Sequence, residues 1–375
     1  MKLQKSAVAA ALALSLLPCC AASAASPASN NAVTNATAVT YTGTEIRFSD
    51  SGITSAASDG VEIDGTALTI KEPGTYLLSG TCADGSIKVK KGTTGVTLVL
   101  SGLTLTSETT APIICAKSTE VSIVAAANTE NTLTDTENND ADDGGAEAEN
   151  AVIKCKDGST VTLCGTGTLN VIANGKNGIK SGASTESEGD ASLTIRELTL
   201  NITAPVNDAV NAEAALNVES GTLTIAAGDD ALHCDNAMNI GAESTAGPSI
   251  TITTCCEGLE GAAVNIYSGD VSIAATDDCI NAANPSLSGY SDTLNISGGT
   301  IVAYTTSGDG FDSNGDITIS GGTVAVWTAN AADNSPLDAD GTVTISGGTV
   351  LAAGGSGGMG MNLSAQQPCV TFDST

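Results

Sequence analysis

Across its C-terminal half the chain alternates apolar and polar residues in short runs, each broken by a glycine pair. LNISGGTIVAY (294–304), ITISGGTVAVW (317–327) and VTISGGTVLAA (343–353) have one pattern, and Ile296, Ile319 and Ile345 are spaced by 23 and 26 positions. Alternation of period two predicts strands with one buried face. In the first run it turns Leu294, Ile296, Ile301 and Ala303 inward, with Asn295, Ser297 and Val302 outward. The glycines supply the tight, often left-handed backbone where one strand bends into the next. A strand-and-turn unit returning every 20 to 30 residues is the mark of a solenoid, in which each coil packs only on its neighbours. The expected fold is all-β, a single-stranded, right-handed parallel β-helix with almost no helix.

A second phrase recurs with the strands: acids or amides, an apolar residue, then another polar residue. It reads NDAVNA (207–212), DDALHC (229–234), CEGLEG (256–261), DDCINA (277–282), GDGFDS (308–313) and SPLDAD (335–340). Coiling in register stacks these acids into a column, with rungs about 4.8 Å apart. The column candidates are Asp208, Asp229, Asp230, Glu257, Glu260, Asp277, Asp278, Asp309, Asp312 and Asp338. Carboxylates that close repel one another unless a cation neutralises them, and Ca²⁺ takes about six to eight oxygen ligands. Asn281, Asn284 and Asn314 are available to complete such shells. The alternative is a set of turn and asparagine-ladder hydrogen bonds between coils.

Phe311 aligns with Leu232, Leu259, Ile280 and Leu337 and belongs to the core. Tyr304 and Trp327 occupy the same step of consecutive coils and point outward, a pair suited to stacking on a sugar face. The chain has only nine aromatic residues, which makes that placement conspicuous.

The formal net charge is −29, and no Lys or Arg follows Arg196, whereas residues 197–375 hold 21 Asp and Glu and one His. Nucleic acid and anionic membranes need a basic face and are therefore poor partners. Paired carboxylates are what inverting hydrolysis needs, and DDCIN resembles the paired-Asp motif of polygalacturonases. That resemblance also implies a downstream histidine and a basic cluster to hold the uronate. His233 lies upstream and reads as a ladder or turn side chain. Lyase chemistry would need an Arg or Lys base, and only Arg47 and Arg196 offer a guanidinium, the latter within the strand-like RELTL segment. Cleavage of a glycan is the lesser reading, and a calcium-rigidified surface adhesin or stalk is a second alternative.

Residues 1–24 have the form of a secretory signal, with Lys2 and Lys5 ahead of a short apolar run. Cleavage after Ala24 would release a secreted protein. Cys19 and Cys20 offer an alternative, lipidated attachment to the cell surface, although Pro18 fits that signal poorly. Residues 25–40 read as a flexible linker, and no later segment suits a membrane span. Residues 41–110 read as an N-terminal cap and first turns of a β-helix running over 41–372. The apolar-free stretch 135–149 reads as an exposed acidic loop. Its run up to Gly144 has EF-hand-like spacing but places Ala141 where a carboxylate belongs. The nine cysteines beyond Cys20 are odd in number and show no CxxC, which favours mostly free, buried thiols.

TYLLSGTCADGSIKV, NTENTLTD, CCEGLEG, DDCINAAN, GDGFDSNGDITISGGTVAV and VLAAGGSGGMG together resemble one bacterial family. It comprises secreted carbohydrate-binding domain-containing proteins of anaerobic cellulose and pectin degraders. The resemblance runs from about residue 42 to 372, and GDGFDSNG is its most specific element. It implies a pectate-lyase-like right-handed β-helix that binds calcium and cellulose or acidic sugars such as pectin without cleaving them.

Overall fold

The computed structural model describes residues 40–56, 59–142, 146–182, 191–284, 291–329, 334–355 and 362–370. The signal segment, Cys19, Cys20, nearly all of the linker and Gly144 lie outside them.

The alternation becomes a parallel β-solenoid with three short strands to a coil. Thr293–Ile296, Thr300–Thr305 and Phe311–Ser313 form one coil. They pair in parallel with equivalent strands before and after, placing Leu294 beside Ile317 and Ile301 beside Val324. Ile296, Ile319 and Ile345 stack in one column, as their spacing predicts. A continuous core of buried Ile, Val, Leu and Ala runs through the coils from Ile46 to Ile345, and Phe311 is completely enclosed. No α-helix occurs among the described residues, which contain one short 3₁₀ turn, Glu137–Asn139.

The glycine pairs set the corners. Gly299, Gly322 and Gly348 hold φ between 78° and 85° at equivalent steps. A Cβ on Gly322 would also meet backbone oxygens of the previous coil at 2.8 and 2.9 Å. Only glycine satisfies both demands.

At the N-terminal end Thr44–Phe48 pairs antiparallel with Thr54–Ser55, and Val61–Asp64 with Ala67–Ile70. These are the antiparallel pairings among the described residues, and they act as the expected cap.

Two local expectations are corrected. Arg196 lies outside the strands, in the turn between Ser192–Ile195 and Thr199–Ala204, next to Glu197 at φ 71°. The acidic loop is tied down rather than wholly exposed. Asp135 is buried and accepts hydrogen bonds from Asn139 Nδ2 at 2.9 Å and Asn174 N at 2.7 Å. Satisfying a buried carboxylate with several donors is the usual condition for tolerating it.

Candidate functional site

The recurring acids share one region but divide among three adjacent columns. Parallel ladders join Val210 to Leu232, Leu232 to Leu259, Leu259 to Ile280, Ile280 to Phe311, and Phe311 to Leu337. Reading outward from that core line gives the register of every acid. Asp229 and Asp277 stand exposed on the rim of the turn. Asp208, Asp230, Glu257, Asp278 and Asp309 follow at the corner, where Ala209 N donates to Asp230 O, Ala231 N to Glu257 O and Cys279 N to Asp309 O. Glu260, Asn281 and Asp312 occupy the outward position on the strand itself, and Asp338 continues that position beside the isolated bridge of Leu337 to Phe311.

The corner and strand columns meet in three groups whose ligand atoms lie within 4.8 Å of one another. Asp208, Asp230 and His233 form the first, Asp230, Glu257 and Glu260 the second, and Asp309, Asp312 and Asp338 the third. His233 spans the first two. Its Nδ1 lies 3.1 Å from Asp230 Oδ2 and also contacts Glu260, while Nε2 lies 2.9 Å from Asp235 Oδ1. Burial opposes a charge on this imidazole, yet the three carboxylates outweigh it and push its pKa up to about 12. The three acids thus favour the charged form of His233. In that form the ring has no free lone pair with which to act as a base.

The remaining acids stand close without such a partner. Burial, reinforced by Glu260 and Asp230, raises Glu257 to about 8. Burial raises Asp278 to about 7, and burial with Asp309 and Asp338 raises Asp312 to about 6. Asn281 stands between Glu260 and Asp312 in the strand column. Its Nδ2 donates to both Glu257 oxygens, at 3.1 and 3.3 Å, while its buried Oδ1 has no hydrogen-bond partner. Asn284 instead donates to Asp235 O at 2.8 Å, and Asn314 is exposed.

An asparagine ladder does exist, on a neighbouring strand. Asn239 Nδ2 donates to Asn217 Oδ1 at 2.9 Å, Asn265 to Asn239 at 3.1 Å and Asn295 to Asn265 at 3.1 Å. This ladder lies apart from the acids, but the corner carboxylates make turn hydrogen bonds between coils of their own, Asp208 Oδ1 accepting from Asp230 N at 3.3 Å and Asp278 Oδ1 from Asp309 N at 2.6 Å.

Tyr304 and Trp327 are ladder partners, with ring centroids 5.8 Å apart and planes tilted by 35°. Trp327 is 40% exposed, its other neighbour in that column is Ala353, and Ala274 flanks Tyr304 on the opposite side. Val302 and Leu351, both exposed, lie two residues away on the same face, forming an apolar strip beside the rings.

Followed toward the N-terminus, the strand column changes sign. Asp312, Asn281, Glu260 and His233 lead to Asn211, then Lys180, Lys154, Ile114 and Lys88. Burial, with Lys180 beside it, lowers the Lys154 ammonium to about 8, and its Nζ donates to Gly182 O at 3.3 Å. Sequence reading missed this basic half, although the register of the apolar line carried the signal.

A family model for carbohydrate-binding domain-containing proteins matches residues 64–358. The chain belongs to that family. A relative from Acetivibrio thermocellus, itself described as a carbohydrate-binding domain-containing protein, is 35% identical over 136 residues. That stretch is 36% of this chain and 47% of the relative, so the match spans about half of the relative's length. A solved structure, a polysaccharide lyase-like protein from C. thermocellum in its gadolinium derivative, aligns with a TM-score of 0.43 and 25% identity. The alignment covers 88% of this chain and 98% of that one.

Proposed function

We propose that the protein binds plant cell-wall polysaccharide without cleaving it, and that Ca²⁺ held by the carboxylate columns takes part. The observation that carries this reading is the buried, unpartnered Asn281 Oδ1 beside acids crowded within ligand distance. A buried acceptor without a donor costs about 1–3 kcal/mol. A hard cation removes that cost and the carboxylate repulsion together. The donors are oxygens of the kind Ca²⁺ prefers. Asp309, Asp312 and Asp338 form the group best suited to it, because no cationic side chain pairs with them among the described residues, although Asp309 Oδ1 accepts from Ser335 N and Asp338 Oδ1 from Ala339 N at 3.0 Å. Asp208, Asp230 and Glu260 are partly committed to His233 or to Asn211, whose Nδ2 lies 2.6 Å from Asp208 Oδ2.

For an acidic glycan such as pectin, the ion supplies charge that the protein's own acids repel, bridging carboxylate to uronate. Non-catalytic binding is favoured because His233 is held by three acids and Arg196 sits in a distant turn of earlier coils. The exposed Tyr304–Trp327 pair supports a second mode, stacking on an uncharged glucan such as cellulose.

Co-sedimentation with insoluble polygalacturonate and with cellulose, each in calcium and in chelator, tests both modes. Calcium-dependent retention on polygalacturonate without product release is expected. Release of unsaturated or reducing products would overturn the non-catalytic reading. Absence of retention on either polymer, accompanied by a large calcium-induced rise in Tm, would favour the structural stalk.

A further inference from the structure

The basic half of the column opens into a groove of about 490 Å³ near the N-terminal coils, lined by Lys71, Lys88, Lys90, Lys91, Lys117 and Lys156. In a chain with only 13 Lys and Arg against 42 acids, six lysines around one cavity are a strong local inversion of charge. Parts of it are internally balanced. Lys71 faces Glu62 at 3.5 Å, Lys117 faces Asp157 at 3.0 Å and Lys156 faces Glu149 at 2.6 Å. Lys88 and Lys90 are exposed, and among the described residues no carboxylate stands within ion-pair distance of either. Both project from one face of Ser86–Val89 and the residue after it, with Ile87 and Val89 buried on the opposite face. The ammonium groups are therefore held over a rigid sheet, and the cavity beside them is open to a chain.

We propose that this groove is a calcium-independent subsite for the carboxylates of an acidic, uronate-type polysaccharide. The assignment rests on the carbohydrate-binding reading above and extends it to a second place on the same face. Lys88 belongs to the outward column that ends in Asp312 and Asp338, nine coil steps away. At about 4.8 Å per step that track is roughly 43 Å long. A polyuronate lying along it would meet ammonium groups directly at one end and need a bridging cation at the other. A polymer with one carboxylate per sugar suits such a divided track. The acids at the far end repel a densely charged nucleic acid along most of its length.

The test is retention of the full chain on polygalacturonate in chelator, comparing the wild type with K88A/K90A and with D309N/D312N. Both lysines are exposed, so the variant should fold, and an unchanged Tm verifies it. Chelator-resistant retention is expected, weakening with salt because exposed charge pairs are screened. K88A/K90A should lower it about tenfold, as two charge-assisted contacts are lost. D309N/D312N should leave it unchanged while removing the calcium-dependent part. Retention abolished entirely by chelator would overturn the lysine subsite and leave the calcium reading standing. Equal chelator-resistant retention by K88A/K90A would likewise overturn it. So would lysine-dependent binding to duplex DNA with none to polygalacturonate. Failure of retention in calcium as well would instead sink the carbohydrate reading on which the subsite rests.

Discussion

Asn281 is the ladder partner of Asp312, and its amide oxygen is buried beside the acids of two coils with nothing to bind. Its nitrogen side is committed to Glu257, which fixes the orientation of the amide and leaves the oxygen toward the remaining acids. Replacing Asn281 by Ala removes that acceptor along with the donors to Glu257. If the oxygen is a calcium ligand, calorimetric titration should show about a tenfold loss of affinity at one site, equivalent to about 1.4 kcal/mol. Unaltered calcium binding in Asn281→Ala would remove this residue from the coordination shell.

The raised carboxyl groups set a pH dependence whose sign follows from linkage. Glu257, Asp278, Asp230 and Asp312 are raised by burial to about 8, 7, 6 and 6. The folded chain therefore retains protons that the unfolded chain has released. Stability from these groups is complete below the ordinary carboxylate range, near pH 4, and is lost as pH climbs through 6 to 8. His233 acts in the same direction above its ordinary value, since its folded pKa is also raised. In chelator the Tm should fall between pH 5 and pH 8. Calcium should reverse that fall, because binding requires the deprotonated acids and expels their protons. A Tm in chelator that rises steadily from pH 5 to pH 8 would contradict this.

Core geometry was readable because period-two alternation and the glycine pairs specify register. Tyr304 with Trp327, and Phe311 with Ile280 and Leu337, stand where their spacing places them. The division of the acids was not readable. Asp229 and Asp230 are chain neighbours, yet one is exposed and the other buried, because a corner rotates successive side chains away from strict alternation. The lysine half escaped notice for another reason. Its rungs, Lys88, Ile114, Lys154 and Lys180, are separated by an apolar residue and by the 135–149 insertion, so no repeated phrase marks them. Asp135 shows a third limit. Its burial depends on donors from Asn139, Asn174 and Gly175, which only the fold brings together.

Phe311 lies directly under the third acidic group, in the core line between Ile280 and Leu337. It is wholly buried, so Phe311→Ala leaves a cavity and should cost about 3–5 kcal/mol. Denaturant unfolding in calcium would measure it. A loss below about 1 kcal/mol would mean that the coils collapse to fill the gap.

The nine cysteines among the described residues are all free, and Cys115 and Cys155 stack as buried ladder partners. The contact with Cys155, reinforced by burial, raises the Cys115 thiol well above its usual range, which suppresses the reactive thiolate. Reductant should therefore leave the Tm unchanged. A clear fall would reveal a disulfide, whose removal typically costs about 2–4 kcal/mol.

Trp327 separates the two binding modes most cleanly. It is exposed, its ladder neighbour on the far side is Ala353, and Ala274 flanks Tyr304, so small side chains border the rings along the column. Removing the indole should leave the coil folded, because Trp327 is 40% exposed and stands outside the buried core. Trp327→Ala should instead weaken retention on cellulose about tenfold, the scale of one lost aromatic contact of about 1.4 kcal/mol. Trp327→Phe should restore most of it, since a flat apolar ring returns to the same step. Calcium affinity and calcium-dependent retention on polygalacturonate should stay unchanged in both variants, because the acids lie past the turn that follows Thr305. Equal cellulose retention by Trp327→Ala would show that the exposed pair is only a surface feature of the C-terminal coils. Parallel loss of both polymers would show instead that one glycan path crosses the rings and the acidic corner together.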